Sequence, residues 1–191
     1  MKQLKTMILL TTVALFSMAC AVTLIEPEAT APTELANLIE FDEDHYGVHT
    51  EIIIDAPAAE VWAVLTDWDE PLAWSTGFLG IVGDIADGAP ATVLYASPEG
   101  GMLELSRASL IYVEGVEFGW SEESPPPFNG FIDRHIYRVE PLSTTQTRFV
   151  QSDNYRVIGP NEVFTSQSLA EALLPTYQQF NQELKAAIEG Q

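Results

Sequence analysis

The chain offers few side chains for chemistry. Its 191 residues include three histidines and one cysteine, against 28 aspartates and glutamates. The histidine best placed to act is His135, in the run His135-Ile136-Tyr137-Arg138-Val139-Glu140-Pro141; a later run, Thr147 to Val157, carries Asp153. Both runs alternate in polarity as strands do. A hairpin that pairs Val139 with Phe149 sets His135 opposite Asp153. It collects His135, Tyr137, Val139, Phe149, Gln151, Asp153 and Tyr155 on one face, with Arg134, Arg138, Arg148 and Arg156 on the other. Unpaired arginines are costly to bury, so the arginine face belongs outside. An imidazole beside a carboxylate can serve as a general base, with its pKa raised by the acid. The same pair is more often a buried histidine satisfied by its neighbour.

Other chemistries lack their signatures. There is no glycine loop to cradle phosphate, no Gly-x-Ser-x-Gly elbow and no His-Glu-x-x-His helix. With so few imidazoles and thiols, neither a metal nor a cofactor is expected. The run Phe41-Asp42-Glu43-Asp44-His45 does not match the ligand spacing of a calcium loop and reads as solvated charge.

The cysteine, Cys20, follows Lys2, Lys5 and a short apolar stretch, too short to span a bilayer. This arrangement resembles a bacterial lipoprotein signal, in which the thiol is acylated and becomes the N-terminus, although Ser17 stands where that motif usually has Leu. Cleavage after Ala19 or Ala21 would instead release a soluble secreted protein. The expectation is a signal peptide over 1–19, lipidation at Cys20 and a place in the cell envelope. The chain from Cys20 onward then carries six basic against 28 acidic residues, a formal charge of −22. Such a surface repels phosphate backbones, so no nucleic-acid partner is expected. A single cysteine also leaves no intrachain disulfide, so the fold must stand on its core.

Residues 20–45 are acidic, broken by Pro27 and Pro32, and read as a flexible tether. The domain is expected over 46–191. A β-branched run at 48–54 reads as a strand. Asp55-Ala56-Pro57 then announces a helix over 58–67, and Trp68 to Ser75 a second short helical or turn segment. Strand-like runs follow at 78–82, 91–96, 102–112, 115–121, 131–140 and 147–157, separated by turn residues, which implies an antiparallel meander. Residues 162–189 close the chain as a helix with Leu169, Leu173, Tyr177, Phe180, Leu184 and Ile188 along one stripe. Pro175 should break or kink it.

Several segments sharpen this order. Ile54-Asp55-Ala56-Pro57-Ala58-Ala59-Glu60-Val61-Trp62 resembles the first strand-to-helix junction of the SRPBCC superfamily, which includes START-like lipid-transfer domains and polyketide cyclases and dehydrases. Trp74 with the turn at Gly83-Asp84-Ile85-Ala86-Asp87-Gly88, the Glu140-Pro141 hairpin answered by Thr147-Arg148-Phe149, and the closing Leu184-Lys185 are similar to further segments of that family. The hairpin turn Ser143-Thr144-Thr145-Gln146 lacks the usual glycine. The resemblance implies an α+β helix-grip fold: a curved antiparallel sheet around a long C-terminal helix, with two short helices after the first strand and a cavity between sheet and helix. Its walls would come from Trp68, Trp74, Phe118, Trp120, His135, Tyr137, Phe149, Tyr155, Phe164, Leu169, Leu173, Tyr177 and Phe180, with the stiff segment 122–128 at its mouth. Three functions fit: a membrane-tethered carrier or sensor of a small apolar or amphipathic molecule, a cyclase-like enzyme using His135 and Asp153, or an accessory lipoprotein without a ligand.

Overall fold

The computed structural model describes residues 34–124, 129–160 and 164–190. Nine strands and two helices make up these residues. In chain order they are β1 (Glu34–Asp42), β2 (His45–Ile54), α1 (Ala58–Leu65), β3 (Phe78–Gly83), β4 (Ala91–Ala96), β5 (Met102–Arg107), β6 (Leu110–Val113), β7 (Glu117–Glu123), β8 (Phe131–Pro141), β9 (Thr147–Val157) and α2 (Ser166–Glu189). Six strands form one antiparallel sheet, ordered β1-β2-β9-β8-β7-β6, and β3-β4-β5 form a second. The fold is the α+β helix-grip type that the sequence implied.

Alternation explains the large sheet. β8 and β9 pair in one regular register over their full lengths, with Val139 opposite Phe149 and His135 opposite Asp153. The glycine-free turn between them closes by backbone bonds from Leu142 and Ser143 to the Gln146 carbonyl. The Ser143 hydroxyl accepts from the Thr145 amide there. The arginine face is outside: Arg138 donates to Glu117, Arg148 lies 3.3 Å from Glu140, and Arg134 and Arg156 are exposed. Such half-exposed pairs hold strand order more than they stabilise it.

Several expectations change. Residues 34–42 are not tether but the edge strand β1, paired with β2 from Glu34 opposite Ile52 to Asp42 opposite His45. Most of its side chains are exposed on both faces, so it carries no inward alternation to betray it. Only one helix follows β2. The second is a turn in which Ser75 N–H donates to the Leu72 carbonyl. Asp55 does not cap α1; its carboxylate accepts from the Gln146 side chain instead. The 102–112 run is two strands, because at Ala108 the chain leaves one sheet for the other, its amide bound by the Glu122 carboxylate at 2.9 Å.

The closing helix is locked at both ends. Thr165 and Ser168 form a reciprocal capping box. The Ser166 hydroxyl accepts from the Tyr46 amide at 2.7 Å and donates to the Tyr155 carbonyl. At the other end Lys185 donates to the Ile53 carbonyl and Glu189 accepts from the Asp55 amide. The helix runs unbroken through Pro175. That proline and Glu171, whose carbonyl loses its usual partner, both lie on the exposed side, where water can replace the bond. Against the sheet α2 buries Leu169, Phe180, Leu184 and Ile188. Phe180 meets Phe78, Tyr137 and Phe149 in an aromatic core with ring centroids 5.7–6.1 Å apart.

Candidate functional site: an apolar cavity with a buried acidic end

Helix and sheets do not close on each other completely. A cavity of about 450 Å³ remains between α2, the β8–β9 face and the three-stranded sheet. Leu103, Leu105, Phe78 and Tyr95 wall it on the side of β3–β5; Leu169, Leu173, Tyr177 and Phe180 wall it on the helix side. From β8 and β9 come Tyr137, Tyr155 and a polar group comprising Asp133, His135, Gln151 and Asp153. Ser124 lines it just before the proline segment, and residues 125–128 of the expected mouth lie outside the described residues.

His135 is 2 % exposed. Its Nδ1 lies 3.3 Å from Asp153 Oδ2, its Nε2 lies 3.3 Å from Gln151 Oε1, and its ring stacks on Tyr137 at 4.2 Å. Gln151 is oriented by α2, since its amide nitrogen donates to Asn181 Oδ1 at 2.7 Å and to the Tyr177 carbonyl. Its oxygen must therefore face the imidazole, which puts the ring proton on Nε2. Burial, only partly offset by Asp133, pushes the His135 pKa down to about 4. The expected rise is reversed because desolvation of the imidazolium outweighs its neighbouring carboxyls.

The carboxyls move the other way. Burial, then the charge of Asp153, raises Asp133 to about 7 against the pull of Arg107. Burial also raises Asp153, opposed by hydroxyl donors. Those donors are Tyr155 at 2.6 Å and Tyr177, both to Oδ2. Arg107 donates to Asp133 Oδ2 at 2.7 Å, Trp120 Nε1 donates to the same oxygen at 3.0 Å, and the guanidinium lies over the Trp120 ring at 4.5 Å.

Seven of the expected wall residues reach the cavity, namely His135, Tyr137, Tyr155, Leu169, Leu173, Tyr177 and Phe180, and so does Asp153, the candidate partner of His135. Phe118, Trp120, Phe149, Trp68 and Trp74 do not. They form the packed core behind it, because Phe78 from β3 comes down within 5.9 Å of Phe118 and ends the cavity there. Trp68 stands edge-on to Phe118 at 4.8 Å and Trp74 tilts against Phe180 at 5.2 Å. Phe164 packs in a second cluster with Leu169 and Tyr155. Asp133 and Arg107 went unforeseen. Asp133 shares the parity of His135 and was readable from alternation; Arg107 has no such signal.

Residues 46–189 match the family described as polyketide cyclase / dehydrase and lipid transport. The chain belongs to it. No curated protein matches the sequence. Solved structures similar to this family member include a conserved protein of unknown function from Enterococcus faecalis, at 15 % identity and TM-score 0.54, covering 80 % of this chain and 76 % of that one. A START superfamily protein from Mycobacterium smegmatis aligns at 12 % identity and TM-score 0.54, over 75 % of this chain and 97 % of the other. The di-domain ARO/CYC BexL from the BE-7585A biosynthetic pathway aligns at 15 % and TM-score 0.56, over 75 % of this chain and 46 % of its own. At these identities the likeness is one of fold. Family and cavity together make this cyclase/dehydrase and lipid-transport family member a hydrophobic-ligand-binding domain.

Proposed function

We propose that the protein is an envelope carrier, tethered to a membrane through an acylated Cys20, that shelters a small amphiphile in the cavity. The observation that carries this reading is the cavity itself: a pocket with largely apolar walls and one polar end, left open in a core that is otherwise tightly packed. Its size falls within the range of small-molecule sites, about 300–1,000 Å³. At about 30 Å³ per water-sized group it holds roughly fifteen such groups. That suits a single-chain or compact ring-shaped molecule better than a two-chain lipid.

A cyclase-like reaction with His135 as base draws less support. The Nε2–H is taken by Gln151, Nδ1 faces the Asp153 carboxyl and the Tyr177 hydroxyl, and burial pushes the ring's pKa down to about 4. A base needs a free lone pair within reach of its substrate.

Two measurements test the proposal. Native mass spectrometry of protein taken from its own host should show an adduct with the mass of a small amphiphile; a ligand-free spectrum under conditions that retain known complexes would refute the carrier role. Replacing Cys20 with Ser should move the protein from the membrane to the soluble fraction. Unchanged fractionation of C20S would refute the tether.

A further inference from the structure

Charge at the acidic end of the cavity does not balance. Arg107 brings one positive charge, Asp133 and Asp153 bring two negative ones, and His135 is neutral. Both aspartates are deeply buried, 7 % and 4 % exposed. Arg107 donates to Asp133 through Nη2 and its Nη1 lies 4.0 Å from Glu122, while its Nε and Nη1 have no hydrogen-bond partner. Asp153 receives only the neutral hydroxyls of Tyr155 and Tyr177. The Oδ1 atoms of both aspartates lack a donor in the protein, and the charge of Asp153 adds to burial in raising Asp133. Such a pair requires a proton or a cation between its members.

We infer that the carried amphiphile has a protonated amine as its polar end, seated against Asp153 and Asp133 at the acidic end of the cavity. The inference rests on the carrier reading and names the class of ligand. An ammonium group supplies the missing positive charge and three donors to oxygens that have none. The rings of Tyr95, Tyr137 and Tyr177 line the same end, and aromatic faces attract cations. Other polar ends fit worse. A carboxylate would add a third buried negative charge, and a hydroxyl would leave the acid pair still needing its proton. The strongly acidic chain draws cations toward the mouth and repels anions.

Burial holds both aspartates above the usual carboxylate range, so an ammonium seated against them takes the place of a bound proton and binding should release protons. The groups facing the pair are Arg107 from β5, Glu122 behind it on β7, Tyr95 from β4, His135 and Tyr137 from β8, Tyr155 from β9 and Tyr177 from α2. Of these, His135 is pushed away from neutral pH and the tyrosines lie above it, which leaves the aspartates to respond.

The test is calorimetric titration of the full chain with decylamine, decanol and decanoate near neutral pH. Decylamine should bind at least about tenfold more tightly than decanol, with decanoate weakest. The heat of amine binding should vary with the ionisation enthalpy of the buffer, reporting up to about one proton released. Lowering the pH from about 8 to about 5 should weaken amine binding but not alcohol binding, because the proton competes for the same oxygens. Asp153→Asn should collapse the amine-to-alcohol ratio to about one; if that variant fails to fold, the three-ligand comparison on the unaltered chain decides alone. Decanol or decanoate binding as tightly as decylamine would overturn the amine and leave the carrier standing. Binding of none of the three to the folded chain would overturn both.

Discussion

Exchanging His135 for Gln isolates one titration inside the fold. In the unfolded chain the imidazole takes a proton near its ordinary value of 6.5, whereas in the fold it does so only at about 4. Between those values the unfolded state binds a proton that the native state refuses. His135 therefore costs the native state stability as pH falls through that window. The gap corresponds to roughly 3 kcal/mol, fully expressed near pH 4 and absent above about pH 7. Asp133 works with the opposite sign. Its folded pKa, raised to about 7 from 3.8, makes the native state lose stability as pH rises through that range, and Asp153 acts in the same direction. In the natural chain the slopes oppose each other; in H135Q the carboxyl slope stands alone. Urea unfolding of both proteins from about pH 7.5 down to about pH 4.5 reads the difference directly, since every other titrating group is common to both. H135Q should gain on the natural chain by roughly 1.4 kcal/mol per pH unit below about 6.5. A difference constant to within about 0.5 kcal/mol across the range would show that the imidazole titrates as it does in water, and the buried, neutral assignment would fall.

Two further expectations concern packing. Phe180→Ala should cost roughly 3–5 kcal/mol in equilibrium unfolding, because the ring is 4 % exposed and sits between α2 and the aromatic core. Leu173→Ala, on the cavity wall and only half-buried, should cost less than about 1.5 kcal/mol; equal losses would mean that the cavity is filled by collapse of the helix onto the sheet. Gly119 is the tightest position in the sheet, where an added Cβ would lie 1.9 Å from the His135 carbonyl oxygen. Gly119→Ala should therefore prevent folding or lower stability by more than about 4 kcal/mol, and a native-like melting curve would disprove the close approach of β7 to β8.

What the sequence disclosed and what it hid follow from one physical difference. The pairing of His135 with Asp153 was legible because two long runs alternate without interruption and meet in a short turn, which leaves little freedom of register. The depth of the aromatics was not. Alternation says that Phe118 and Trp120 point inward, but whether an inward residue meets a ligand or another side chain depends on how closely a second sheet approaches. No local pattern encodes that distance. Arg107 shows the same limit more sharply. A single arginine in a strand reads as a surface residue, and its burial makes sense only through Asp133, 26 residues later in the sequence, and the ring of Trp120. The strand β1 was lost for the opposite reason: with both faces largely wet, it has the composition of a linker.

The edge strand also sets a length. If an acylated Cys20 holds the membrane, the segment between anchor and sheet ends at Glu34, where β1 begins, and not at residue 46, where the family match starts. Fourteen links at about 3.3–3.6 Å each reach no more than about 50 Å. A tether lasting to residue 45 would have reached nearly twice as far. With the proposed anchor, β1 would start no more than about 50 Å along the chain from the acylated residue. A carrier so held would meet molecules entering or leaving its own bilayer and would be too short-tethered to ferry them to a distant one.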